Sequence, residues 1–267
     1  MSVIARNERA ATRPYYRPVG REVEVFEAAY AARLPVLLKG PTGCGKSRFI
    51  AAMAAAHGRE LVTVACNDET SAVDLLGRYV VMGGDTVWQD GPVTRAARAG
   101  AFLYLDELAE AREDVLVVLH PLSDHRREVH VDRRDETIVA ADGFALCVSF
   151  NPGYQRGLKE LKPSTRQRYV TLAFDYPEAA VEQEIVATEA VVEAAVAKRL
   201  VAFARKVRGS GELGLQETVS TRLLVAAARL IAGGLPPRLA CEVAIVQPLS
   251  DDLEVVAALK DAAALAF

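Results

Sequence analysis

The sequence predicts an α/β fold followed by a small all-helical unit. Three observations carry this expectation. Five short apolar runs recur through the first two thirds of the chain: Val36–Lys39, Leu61–Cys66, Ala101–Leu105, Phe144–Phe150 and Tyr169–Phe174. Helical stretches or insertions separate the first four. From Tyr176 onward strand signals fade, and Ala, Val, Leu and Glu recur at helical spacing. Apolar runs that alternate with helices build a parallel sheet with βαβ crossovers, buried on both faces. The expected layout is a flexible arm over 1–17, an α/β core over 18–175 with a five-stranded parallel sheet between helices, and a helical lid over 176–267.

Taken in order, the arm is polar and Arg-rich, and a helix is expected from Arg21 to Ala32. After the first strand comes Gly40-Pro41-Thr42-Gly43-Cys44-Gly45-Lys46-Ser47, a complete G-x-x-x-x-G-K-[ST] phosphate-binding loop. Its glycines let backbone N–H groups turn inward around phosphates. Lys46 can reach the β- and γ-phosphates, and the Ser47 hydroxyl suits Mg²⁺, a hard cation that prefers oxygen. The stretch from Arg48 to Ala54 opens a helix whose positive end faces the phosphates. Cys44 inside the loop is either a tolerated small side chain or an oxidation-sensitive one. Tyr16–Val19, ahead of the first helix, either contacts the adenine of ATP or packs its tyrosines on the core.

Two insertions interrupt the α/β pattern. Gly83-Gly84-Asp85 between alternating runs signals a hairpin over about 78–90. Arg133-Arg134-Asp135 splits a second alternating stretch and marks another hairpin over about 127–140.

Further residues complete a nucleotide site. Phe102-Leu103-Tyr104-Leu105 ends in Asp106 and Glu107. Such a strand delivers Asp106 to Mg²⁺, through water in many sites, and places Glu107 to polarise an attacking water. An adjacent Glu favours hydrolysis over transfer to a small molecule. Asn151, at the end of the fourth run, either orients that water and contacts the γ-phosphate or only starts an Asn-Pro turn. An Arg in Ser164–Arg168 is placed to reach a neighbouring subunit's γ-phosphate. Arg222, after a Thr218/Ser220 capping signal, can fold over the γ-phosphate.

Composition narrows the rest. The chain has 267 residues and a net charge of −3, which gives no global attraction to nucleic acid. No apolar run of membrane-spanning length occurs, and the N-terminus has no signal-like apolar stretch, so a cytoplasmic protein without a membrane partner is expected. The four cysteines are scattered, as expected for reduced thiols. His120, His125 and His130 have no nearby Cys and no H-x-x-x-H pair, which argues against zinc.

With these residues assembled, the chain resembles the MoxR group of AAA+ ATPases, and within it the CbbQ/NorQ branch, most closely CbbQ. The resemblance rests on Tyr15–Gly20, Leu38–Lys46, Trp88-Gln89-Asp90-Gly91-Pro92, His120–Arg127 and Asn151-Pro152-Gly153-Tyr154-Gln155. It implies a homo-hexameric ring with ATP at subunit interfaces, and hairpins that line or crown the ring. It also implies an adaptor with a von Willebrand factor A domain. For CbbQ-like proteins the implied target is Rubisco, freed of inhibitory sugar phosphates; for NorQ-like proteins it is a nitric oxide reductase. In the family pattern Arg168 best matches the trans-acting arginine, and whether Arg166 shares that role stays open. The notion of a DNA-associated ring lacks a basic appendage in this sequence. A small-molecule kinase would need neither Glu107 nor Arg168.

Overall fold

A computed structural model describes residues 6–8, 14–152, 161–210, 215 and 217–267. The chain divides into two compact units. The first contains Gly20–Gly40 and Lys46–Ala173 with the described residues that precede Tyr15, and the second contains Tyr15–Val19, Pro41–Gly45 and Phe174–Phe267.

In the first unit the strands are β1 (Arg6–Glu8), β2 (Val36–Lys39), β3 (Leu61–Ala65), β4 (Gly77–Met82), β5 (Asp85–Asp90), β6 (Phe102–Asp106), β7 (Glu128–Val131), β8 (Glu136–Val139), β9 (Ala145–Phe150) and β10 (Val170–Ala173). Its helices are α1 (Glu22–Ala31), α2 (Lys46–Ala56), α3 (Ala72–Leu76), α4 (Pro92–Ala99), α5 (Glu113–Leu119) and α6 (Pro163–Arg166). The main sheet runs in the order β1-β3-β6-β9-β2-β10. Five of these strands are parallel, as the sequence predicted. β1 adds a sixth, antiparallel to β3, inside the stretch expected to be a loose arm. The physical reason is an open sheet edge: β3 would otherwise leave a row of unpaired N–H and C=O groups, and a polar extended segment satisfies them.

The register sets up the site. Lys39 pairs with Phe150, and Leu105 pairs with Val148. The C-terminal ends of β2, β9 and β6 therefore lie side by side, with β9 in the middle. Strand interiors are nearly free of solvent; Leu37, Leu38, Leu103, Leu105 and Val148 are all buried. On one face α1 and α2 pack through Phe26, whose ring sits 5.5 Å from Phe49 and 5.9 Å from Phe102. Burying aromatic side chains of this size is worth roughly 1.5–3 kcal/mol each.

Two hairpins stand apart from the main sheet. β4 and β5 pair antiparallel, and their turn places Gly83 and Gly84 at φ +64° and +95°, a conformation that glycine adopts without steric cost. β7 and β8 form the second hairpin.

The second unit is helical: α7 (Ala179–Ala190), α8 (Ala194–Gly209), α9 (Thr221–Ala232), α10 (Pro237–Cys241), α11 (Gln247–Leu249) and α12 (Leu253–Ala266). Its core joins Val186, Leu200, Phe203, Leu224, Ile245 and Leu259. Ser220 caps α9 by accepting the Leu223 N–H, and Asp252 caps α12 by accepting from Glu254 and Val255. Among the described residues no helix is long and apolar enough to cross a membrane.

Candidate active site

The first unit gathers Lys46, Ser47, Asp106, Glu107 and Asn151 at the C-terminal edge of the sheet. β2 ends at Lys39, and α2 begins at Lys46. Lys46 is buried, and its Nζ donates to the Gly40 carbonyl at 2.8 Å and to Asn151 Oδ1 at 2.7 Å. Asn151 follows the last residue of β9. Its Nδ2 donates to Glu107 Oε1 at 3.2 Å, so one amide links the lysine to the glutamate. That position follows from the strand order, because β9 lies between β2 and β6.

Asp106 is gripped from two sides. Tyr104 OH donates to Oδ1 at 2.7 Å, and Ser149 Oγ donates to the same oxygen at 2.5 Å. Oδ2 is left facing Ser47, whose Oγ donates to it at 3.4 Å. These two oxygens form a hard donor pair of the kind Mg²⁺ uses alongside substrate phosphates. The residues present therefore fit that ion.

Glu107 has φ +57° and ψ +46°, a left-handed conformation that costs a non-glycine residue about 1–2 kcal/mol. Ser149 Oγ accepts the Glu107 N–H at 3.1 Å and helps to hold the turn. The carboxyl pKa is raised, first by burial and then by the Asp106 and Glu110 carboxylates; Lys46 and the Asn151 hydrogen bond oppose the rise. A carboxylate made more basic in this way is better matched to accepting a proton near neutral pH.

Pro41–Gly45 belong to the second unit. Tyr176 OH donates to the Thr42 carbonyl at 3.1 Å, and Thr42 Oγ1 donates to Glu217 at 3.0 Å. Gly43 has φ +70°, and a Cβ there would lie 2.7 Å from both Cβ and Oγ of Ser220 and 3.2 Å from Cβ of Arg222. Arg222, in the first turn of α9, thus has its backbone end beside this stretch of loop, with its side chain exposed.

Arg168 lies elsewhere. It precedes Val170, which pairs with Val36 at the start of both strands. The loop follows Lys39, at the other end of the same strands. Four residues at about 3.3 Å each separate the two edges. Arg168 pairs with Asp124 at 3.6 Å, and the neighbouring Tyr169 is buried. Arg166 closes α6. Gly153-Tyr154-Gln155 fall outside the described residues, and Tyr16–Val19 belong to the second unit, where Arg17 pairs with Glu184 at 3.1 Å.

Sequence reasoning missed Tyr104 and Ser149. The signal was present: residues two apart on a strand share a face, so Tyr104 faces with Asp106 and Ser149 with Asn151. A serine inside a fully buried strand also needs a polar partner. Tyr176 was missed as well, and no local pattern marks its contact with Thr42.

Comparison with known proteins follows the same division. Residues 35–169 match the family model described as AAA domain (dynein-related subfamily), and residues 182–266 match CbbQ/NirQ/NorQ C-terminal. The chain is 57% identical over 258 residues to Protein NorQ of Paracoccus denitrificans, covering 97% of this chain and 96% of that one. It is 52% identical over 254 residues to Protein CbbQ of Hydrogenophilus thermoluteolus, covering 95% of each. It is 53% identical over 248 residues to Denitrification regulatory protein NirQ of Pseudomonas aeruginosa, covering 93% of this chain and 95% of that one. Among solved structures, a mutant of RuvB from Thermotoga maritima aligns with a TM-score of 0.51 at 17% identity, over 91% of this chain and 70% of that one. At that identity the likeness concerns the fold alone.

Proposed function

Because the chain belongs to the CbbQ/NirQ/NorQ family of AAA ATPases and is an ATP hydrolase, we propose that it works as the motor of a ring that remodels a target enzyme. The single observation that carries the hydrolytic reading is the Lys46–Asn151–Glu107 chain of hydrogen bonds. The loop N–H groups and Lys46 bind the triphosphate. Asn151 gives up its bond to Lys46 when that ammonium turns to the γ-phosphate, and its amide then holds Glu107 and the attacking water in line. Glu107 takes the water proton as the new oxygen–phosphorus bond forms and the bond to the β-phosphate breaks. Ser47 and Asp106 would hold Mg²⁺, which neutralises developing phosphate charge.

Arg168 is the proposed trans-acting residue. Its position at the opposite edge of the sheet from its own loop supports that assignment. The site is then complete only between neighbouring subunits of a homo-hexamer, with Arg222 reporting the γ-phosphate to the helical unit. An adaptor with a von Willebrand factor A domain is the proposed link to the target, and a cytoplasmic setting is proposed for all of them.

Two targets follow from the family. The motif resemblance, most closely to CbbQ, points to Rubisco, freed of sugar-phosphate inhibitors. Over nearly the whole chain, the 57% identity to Protein NorQ of Paracoccus denitrificans against 52% to Protein CbbQ of Hydrogenophilus thermoluteolus favours a nitric oxide reductase instead. The test combines the purified chain and a cognate adaptor with each target in turn. Restored carboxylation by inhibited Rubisco supports the first; ATP-dependent gain of reductase activity supports the second. If neither target responds while ATP is hydrolysed, the remodelling assignment fails.

A further inference from the structure

The second unit carries a buried ionic cluster that the proposed hydrolysis does not use. Glu182 on α7 is fully buried, at 0% exposure. Arg208, in the last turn of α8, donates to its two oxygens at 2.7 and 2.8 Å and to the Val219 carbonyl at 2.7 Å. Thr221, the first residue of α9, donates to Glu182 at 2.6 Å. The guanidinium carbon lies over the Tyr176 ring, 4.0 Å from its centre.

Removing two charges from water is expensive, and an apolar set could hold the three helices equally well. What the ion pair adds is a fixed direction. The planar Arg208 fork is locked by Glu182, and Tyr176 stacks on it. The Tyr176 hydroxyl then reaches the Thr42 carbonyl at 3.1 Å. Burial pushes the Tyr176 pKa up to about 12, so the phenol remains a donor at any working pH.

A trans peptide is planar, with its C=O and N–H pointing opposite ways. Gripping the Thr42 carbonyl therefore fixes the direction of the Gly43 N–H, which belongs to the same peptide. Gly43 cannot drift toward α9, because Ser220 already fills that side. We propose that Tyr176 is a positioning residue for nucleotide: it aims the Gly43 N–H at the phosphates, and the Glu182–Arg208 pair holds it in place. This rests on reading Gly40–Ser47 as the phosphate cradle.

The test is Tyr176→Phe in the full chain, with the KM for ATP, the Kd for ADP by calorimetry, and the nucleotide-free Tm. The variant keeps the ring on Arg208 and loses one hydrogen bond. A bond of that kind is worth roughly 0.5–1.5 kcal/mol, or about a two- to tenfold rise in KM and Kd. The nucleotide-free Tm should fall by no more than about 5 °C, the shift that the loss of one hydrogen bond gives in a domain of this size. Arg208→Lys, which keeps the charge but not the fork, should weaken ADP in the same direction. Unchanged KM and Kd in Tyr176→Phe, with or without a fall in Tm, would overturn the inference. Lys46→Ala separates the two levels: if it binds ADP as the wild type does, the cradle reading itself falls.

Discussion

Asn151 donates to Glu107 Oε1 at 3.2 Å while its carbonyl oxygen accepts the Lys46 ammonium at 2.7 Å. Lys46, the proposed phosphate ligand, and Glu107, the proposed base, are thus joined through one side chain. Replacing Asn151 with Ala should lower kcat by about 10- to 100-fold, the loss expected when a positioning hydrogen bond near the reacting atoms is removed. The KM for ATP should change much less. Steady-state kinetics checks this, and an equal loss in KM would assign Asn151 to binding instead.

The raised pKa of Glu107 sets a pH dependence. A base works only when deprotonated, so activity should fall on the acid side at a pH above the ordinary 4.5 of a glutamate. Glu110 contributes to the rise by charge repulsion. Glu110→Gln should therefore move the acid limb of kcat to lower pH. A limb that stays in place would show that another group controls it.

If Arg168 acts on a neighbouring subunit, two inactive variants should complement one another. Arg168→Ala and Glu107→Gln chains, each nearly inactive alone, should regain part of the wild-type rate when mixed. Junctions between one chain's intact Glu107 and the other's intact Arg168 would account for it. Trans-acting arginines contribute about 10³–10⁵ in related GTPase systems, so even a small fraction of restored junctions is measurable. A mixture no faster than its parents contradicts the trans assignment.

Glu182 offers a stability test in the second unit. Glu182→Ala leaves Arg208 without its buried partner and removes the acceptor for Thr221. Breaking a buried pair from one side typically costs about 3–5 kcal/mol. Chemical denaturation should show that loss, and a cost below about 1 kcal/mol would mean that water reaches the site.

Much of this fold was legible in the sequence because parallel strands buried on both faces read as near-continuous apolar runs, short as they are. Val36–Lys39 and Phe102–Leu105 read as strands on composition alone. β1 was not legible: its residues are polar, and it pairs only because β3 leaves an edge open. The site divides in the same way. Lys46, Ser47, Asp106 and Glu107 are written in local motifs. Asn151 was legible as a candidate, but its link to Lys46 depends on β9 lying between β2 and β6. Ser149 and Tyr104 depend on strand facing, and Tyr176 on a contact with Thr42, 134 residues away in the chain.

On the proposed mechanism Glu107 converts nucleotide binding into hydrolysis. Single-turnover ATP hydrolysis by Glu107→Gln, measured beside its Kd for ATP, is the decisive experiment. A lost general base should slow the chemical step by about 10²–10⁴ while the Kd stays within a few-fold of wild type. Hydrolysis at the wild-type rate would contradict it.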